Sequence, residues 1–205
     1  MASNNYIYKM SNAGGLSNIT RYVDMLAGNT TWNPWEPAGA YDALATVTVP
    51  SGGAASITFA GIPTGYKHLQ LRGLSNNTAS SSAFIYIAFN GDASTNYNWH
   101  QLAGDGSSAS AGNSASFPGA VVNNMGLGTN NTAVFGAAVI DILDYTSTTK
   151  NKTVRSLSGF DGNGSGSICI NSNLWRVPAA ITSMTMTYAG GNFAQFSQFA
   201  LYGIK

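Results

Sequence analysis

The sequence predicts an all-β protein: a β-sandwich of jelly-roll type, preceded by an N-terminal arm with one short helix. Three observations lead there. Only 8% of the residues are charged, against roughly 25% in an average soluble domain, and Glu36 is the only glutamate. Helical surfaces are built from Glu, Lys and Gln, whereas strand surfaces readily use Thr, Ser and Asn. The second observation is a series of alternating apolar/polar runs from about residue 42 to the end. The third is the Gly, Ser and Asn turn chemistry that separates them, in a chain with 24 glycines and 44% hydrophobic residues. A chain of 205 residues is long enough for one substantial core.

The chain divides into residues 1–41, a docking arm, and 42–205, the β-domain. In the arm, Leu16, Ile19, Val23 and Leu26 recur at helical spacing, with Gly28 just beyond as a C-cap. TWNPWEPAGAY follows, and its two prolines together with Trp32 and Trp35 read as an extended segment. A helix this short does not fold alone, so these six apolar residues are expected to dock on the chain's own domain, on a sister subunit or on another partner.

In the β-domain, LATVTV alternates with Ala45, Val47 and Val49 on one face. PSGG and ASITFA follow, a hairpin signal. HLQLRGL points Leu69 and Leu71 inward, and AFIYIAF is apolar on both faces, as a central strand requires. VFGAAVIDIL, KTVRSLSGF, GSICIN, ITSMTMTY and FSQFALYGI supply the later strands. Residues 103–119, AGDGSSASAGNSASFPG, read as a long exposed loop.

Several classes of chemistry find little support. Nine Lys plus Arg, thinly spread for a net charge of +1, do not make the clustered positive groove that nucleic acid needs. The lone Cys169 excludes an intrachain disulfide and a cysteine metal cluster, and its apolar surroundings read as a buried thiol. No run approaches the ~18 apolar residues of a membrane span, and the first ten residues show no apolar signal region. The eight acids present no evident facing pair for glycoside hydrolysis. GNGSGS has the wrong spacing for a serine nucleophile elbow, and two histidines, His68 and His100, are too few for zinc. No cofactor, metal or catalytic residue is therefore expected.

Residues 89–100, FNGDASTNYNWH, hold the densest mixture of polar and aromatic groups. Asn90–Gly91–Asp92 is strong turn chemistry, with Tyr97 and Trp99 on one face of the next strand and His100 on the other. The stretch reads mainly as a strand connection. As a ligand site it would use Asp92, Asn96, Tyr97 and Trp99, with the aromatics stacking on sugar rings. A Ca²⁺ loop is the remaining alternative, although the spacing is not that of an EF-hand.

Taken in order, YDALATVTVPSGGAASITFAGIPTGYKHLQLRG, FNGDASTNYNWHQL, DILDYTSTTKNKTVRSLSG, NLWRVPAAITSMTM and FALYGIK resemble a β-rich domain of tailed-bacteriophage virion structural proteins, over roughly residues 41–205. The resemblance implies a β-sandwich and a non-enzymatic virion component made in the host cytoplasm, with other virion proteins as partners. It carries over no catalytic residues. Three functions are weighed: a tail-appendage or tail-fibre protein displaying loops to a host glycan or receptor, a capsid decoration (cement) protein, and a small glycan-active enzyme. A homo-oligomer is expected, a trimer being one option, although no heptad or triple-helical repeat demands one.

Overall fold

The computed structural model describes residues 40–81 and 83–205. Leu16, Ile19, Val23, Leu26, Trp32 and Trp35 lie outside the described residues. Twelve strands follow in chain order: β1 (Tyr41–Thr48), β2 (Ser56–Phe59), β3 (His68–Ser75), β4 (Ile85–Phe89), β5 (Tyr97–Gly104), β6 (Ala109–Phe117), β7 (Ala120–Val122), β8 (Gly136–Ile142), β9 (Lys152–Asp161), β10 (Gly166–Trp175), β11 (Met184–Tyr188) and β12 (Gln198–Ile204). They form two antiparallel sheets: an eight-stranded one, β1-β12-β3-β8-β9-β10-β5-β6, and a four-stranded one, β2-β11-β4-β7.

Eight of these strands pair in nested fashion: β1 with β12, β2 with β11, β3 with β8 and β4 with β7. This is one long hairpin rolled up on itself, which gives the jelly roll of two four-stranded sheets. The other four strands are additions. The β5–β6 hairpin is inserted at the apex of the roll, between β4 and β7, and the β9–β10 hairpin between β8 and β11. Both join the larger sheet and double its width.

Strand alternation places one apolar row from each sheet in the core. Leu69, Leu71, Ile140, Ile142, Phe199 and Leu201 come from the large sheet and are 0–2% exposed. They face Ile57, Phe59, Ile85, Ile87, Phe89, Met184 and Met186 of the small sheet. Each such side chain contributes about 1.5–3 kcal/mol when fully buried. Lys152 is also buried, and its ammonium donates to the carbonyls of Ser147 (2.6 Å) and Lys150 (2.7 Å), tying down the β8–β9 connection.

Three local expectations are corrected. PSGG joins strands of different sheets, so it is a sandwich corner and not a hairpin turn. Gly52 and Gly53 make that corner at φ 91° and 78°, and a Cβ on Gly53 would lie 2.6 Å from the Phe193 carbonyl. In β1, the pairing with β12 slips between Ala43 and Ala45. This bulge turns Leu44 and Val47 toward the core and leaves Ala45 exposed. Finally, the expected loop 103–119 is mostly the β5–β6 hairpin. The β6 strand pairs on one edge only and is largely exposed, so Ala, Ser and Gly suffice there and no apolar alternation is needed.

The small sheet covers only part of the large one. The edge strand of the small sheet, β7, approaches β10, β5 and β9 with the backbone edge that β4 does not pair. Asn173 meets this edge as a further strand would. Its Oδ1 accepts from the Val121 amide at 2.7 Å and its Nδ2 donates to the Val121 carbonyl at 3.1 Å. Asn173→Ala leaves both buried backbone groups of Val121 without a partner, at a cost of about 1–3 kcal/mol. Urea unfolding should show that loss with the far-UV spectrum unchanged; a midpoint equal to that of the parent would contradict the bridging role.

Candidate functional site

The β4–β5 connection follows from its sequence. Asn90 and Gly91 take positive φ (52° and 75°), and the Asp92 amide bonds back to the Phe89 carbonyl at 2.9 Å, closing a tight turn. The Asn90 side chain then clamps the approach to β11, accepting from the Thr182 amide (2.8 Å) and donating to the Ala180 carbonyl (2.7 Å).

Asp92 is the hub of the stretch. One carboxylate oxygen accepts from the Trp175 indole at 2.8 Å and from Asn96 at 3.0 Å. The other accepts from the amide and hydroxyl of Ser94. The Tyr97 hydroxyl donates to the Asp92 backbone carbonyl at 3.0 Å and itself accepts from the Phe89 amide at 2.9 Å. Tyr97 is fully buried and stacks on Trp175 at 6.2 Å, 17° from parallel. Burial pushes the Tyr97 hydroxyl well above its ordinary pKa. For Asp92, burial acts upward but is outweighed by the bonds from Ser94, Trp175 and Asn96, and the carboxyl falls to about 2.

Of the four expected ligand residues, three therefore belong to one internal cluster. Asp92 and Asn96 bond each other, and Tyr97 faces the core. Trp99 is half-buried on the same face of β5 and packs edge-on against Phe117 at 5.9 Å, over Gly112. The sequence does not foretell the key partner of Asp92, because Trp175 is 83 residues away. Among the described residues, no group of three or more His, Cys, Asp or Glu is placed to hold a metal.

The loop also borders a groove of about 290 Å³ on the outer side of the small sheet. Gly91 and Ala93 form one wall, with Tyr86, Pro118, Thr185 and Thr187 completing it. No charged side chain lines it. Tyr86 is braced by Phe117, ring centroids 5.5 Å apart.

The most unusual surface lies on the far side of the large sheet. Cross-strand register sets Val139 beside Leu157, Leu157 beside Ile170, and Ile170 beside Leu102. The next row runs from Leu74 through Ala137 and Gly159 to Ile168. These large side chains are 40–58% exposed, and a shallow hollow of about 530 Å³ opens where Gly159 has no side chain. A polar row borders them: Gln70, Asp141, Arg155, Ser172 and His100. On the inner side of the same strands, Ser156, Ser158 and Asn171 are buried. In this part of the sheet the apolar residues point to water and the polar ones inward. Alternation in SLS or ICIN reveals the two faces but not which one is inside, so these residues were not singled out from the sequence. Cys169 sits among the inward groups, and burial raises its thiol pKa.

Comparison with known proteins finds no matching family model, no matching curated protein and no matching solved structure.

The Asp92 cluster gives an acid-sensitive element. Its carboxyl has an ordinary value of 3.8 and titrates near 2 in the folded chain, so the stability it adds is complete above about pH 4 and is lost as pH falls through 2. Asp92→Asn should lower the melting temperature at pH 7 and flatten the decline between pH 4 and pH 2, read by tryptophan fluorescence. A parent-like acid profile in the variant would contradict this assignment.

Proposed function

We propose that the chain is a non-enzymatic structural subunit of a tailed-bacteriophage particle, of tail-appendage or tail-fibre type. The single observation that carries the structural role is the apolar outer face of the large sheet. Contiguous exposed apolar surface of this kind, bordered by polar residues, marks a protein-contact surface. The bacteriophage setting rests on the ordered motifs over residues 41–205. A role without catalysis accords with the acids of the described residues. Asp42 bonds Tyr66 and Lys205, Asp92 bonds Trp175, and Asp105 bonds Ser107 and Ser108. Asp141 accepts from Gln70, Asp144 from Lys150, and Asp161 from the Asn163 amide. Each carboxylate is engaged in local structure.

The uncharged groove at Tyr86, Thr185 and Thr187 suits display of the β-domain to a neutral host-surface glycan, with the Tyr86 ring as the apolar plate. An apolar sheet face suits attachment to a capsid equally well, so the decoration reading is the alternative, and location on the particle separates the two. Immunogold labelling of phage particles with antibody raised against the β-domain should decorate the tail. Gold on the capsid facets would replace the tail assignment with the decoration reading, and unlabelled particles, with the chain absent from their protein composition, would overturn the virion role. On tail-labelled particles, Tyr86→Ala should reduce adsorption to host cells at least tenfold while particle assembly is unchanged.

A further inference from the structure

We propose that the occupant of the apolar face formed by Leu74, Leu102, Val139, Leu157, Ile168 and Ile170 is a second copy of this chain, packed sheet to sheet. The inference rests on the reading of that face as an assembly surface and names the partner.

Three features carry it. The first is area. At 40–58% exposure, the six side chains place on the order of 500 Å² of apolar surface in water, at the top of the 300–600 Å² range for the largest patch of a monomer. With the small residues between them and the polar border, the face approaches the ~800 Å² per partner of a standard interface.

The second is charge. Arg72 and Arg155 on one side of the balance meet Asp141 and Asp161 on the other, all bordering the same rows. The face therefore offers no net charge for an acidic or a basic partner to read, while a rotated copy can set each cation against an anion. Arg72 is held for this by Gln70, 2.8 Å from its Nε, and by the rings of Tyr41 and Tyr202 at 5.4 and 5.0 Å.

The third is the inversion of the strands themselves. Ser158 and Asn173 turn inward where a backbone segment crosses and needs bonds, and Ser156 and Asn171 are buried on the same face. The Ser158 hydroxyl donates to the Asn123 carbonyl at 2.6 Å, as Asn173 serves Val121. The apolar partners of these residues in β9 and β10 are thereby left with the opposite face. Beside Ser156, Ser158 and Asn171, the strands β9 and β10 hold Leu157, Ile168 and Ile170 outward, and an outward apolar row of this kind is patterned for a second layer.

An isologous contact makes each substitution count twice. Sedimentation velocity of the full chain at 50 µM should give twice the monomer mass. Leu157→Lys and Ile170→Lys, each with parent-like circular dichroism, should raise the dissociation constant at least 100-fold and sediment as monomers. Phe84→Lys, an equally exposed apolar residue away from this face, should leave the mass unchanged. A parent chain that is monomeric at 50 µM overturns the proposal, whether its face is open or covered by residues 1–39. A dimer that survives both substitutions pairs elsewhere, such as along the open edge of β6, and overturns it equally. The outcomes are separable from the virion reading: a dimer absent from particles contradicts only the latter, and a monomer that labels particles contradicts only the former.

Discussion

The surface of the described domain follows from a mismatch of width: a four-stranded sheet lies against an eight-stranded one. Where the two overlap, the arrangement is an ordinary sandwich, with aliphatic rows from both sheets interlocked at almost zero exposure. Where they do not, a sheet face must be covered by something other than a second sheet. At that border the edge strand β7 of the small sheet and the segment after it lie against β9 and β10. A backbone edge laid on a sheet brings amides and carbonyls into a buried place, and those groups require partners. Asn173 and Ser158 supply them.

That solution fixes the opposite face. Strand alternation allows each of β9, β10 and β5 only one inward row. Where that row is given to Ser156, Ser158, Asn171 and Asn173, the neighbouring apolar residues Leu157, Ile168 and Ile170 fall on the outside. Leu157 and Ile170 are therefore exposed as a consequence of how β7 is held. The same economy of charge that marks the whole composition leaves this face without the Lys and Glu that blunt most exposed sheets. The β4–β5 connection solves a different problem. It caps the end of the core by drawing Asp92, Tyr97 and Trp175 into one cluster, so the most chemically varied dozen residues of the chain serve as a fastening.

Much of this was legible in the sequence, and what was not had physical causes. Alternation located Leu69, Leu71, Ile57 and Phe59 correctly, and turn chemistry placed Asn90–Gly91–Asp92 between strands. Alternation failed at Leu44, because a bulge changes the parity of a strand without leaving a mark in composition. It was silent on β6, because an edge strand that buries little needs no apolar pattern. PSGG reads as a hairpin turn because a Gly-rich turn specifies a reversal, whereas nested long-range pairing decides which sheet the next strand joins. Residues 89–100 read mainly as a strand connection with a ligand site as the alternative, and the closure of Trp175 on Asp92 leaves no local mark in the sequence. Contacts over such separations are invisible to local reading.

The central claim is that the outward apolar rows of the large sheet are covered in the working protein. The most direct measurement is methyl NMR of the isoleucine side chains in the presence of a soluble paramagnetic probe. Ile140 and Ile142, fully buried in the sandwich, provide the internal standard. The account predicts that the Ile168 and Ile170 methyls are nearly as protected as these at high protein concentration, and become accessible on dilution. Methyls of Ile168 and Ile170 that are fully broadened by the probe at every concentration would contradict it.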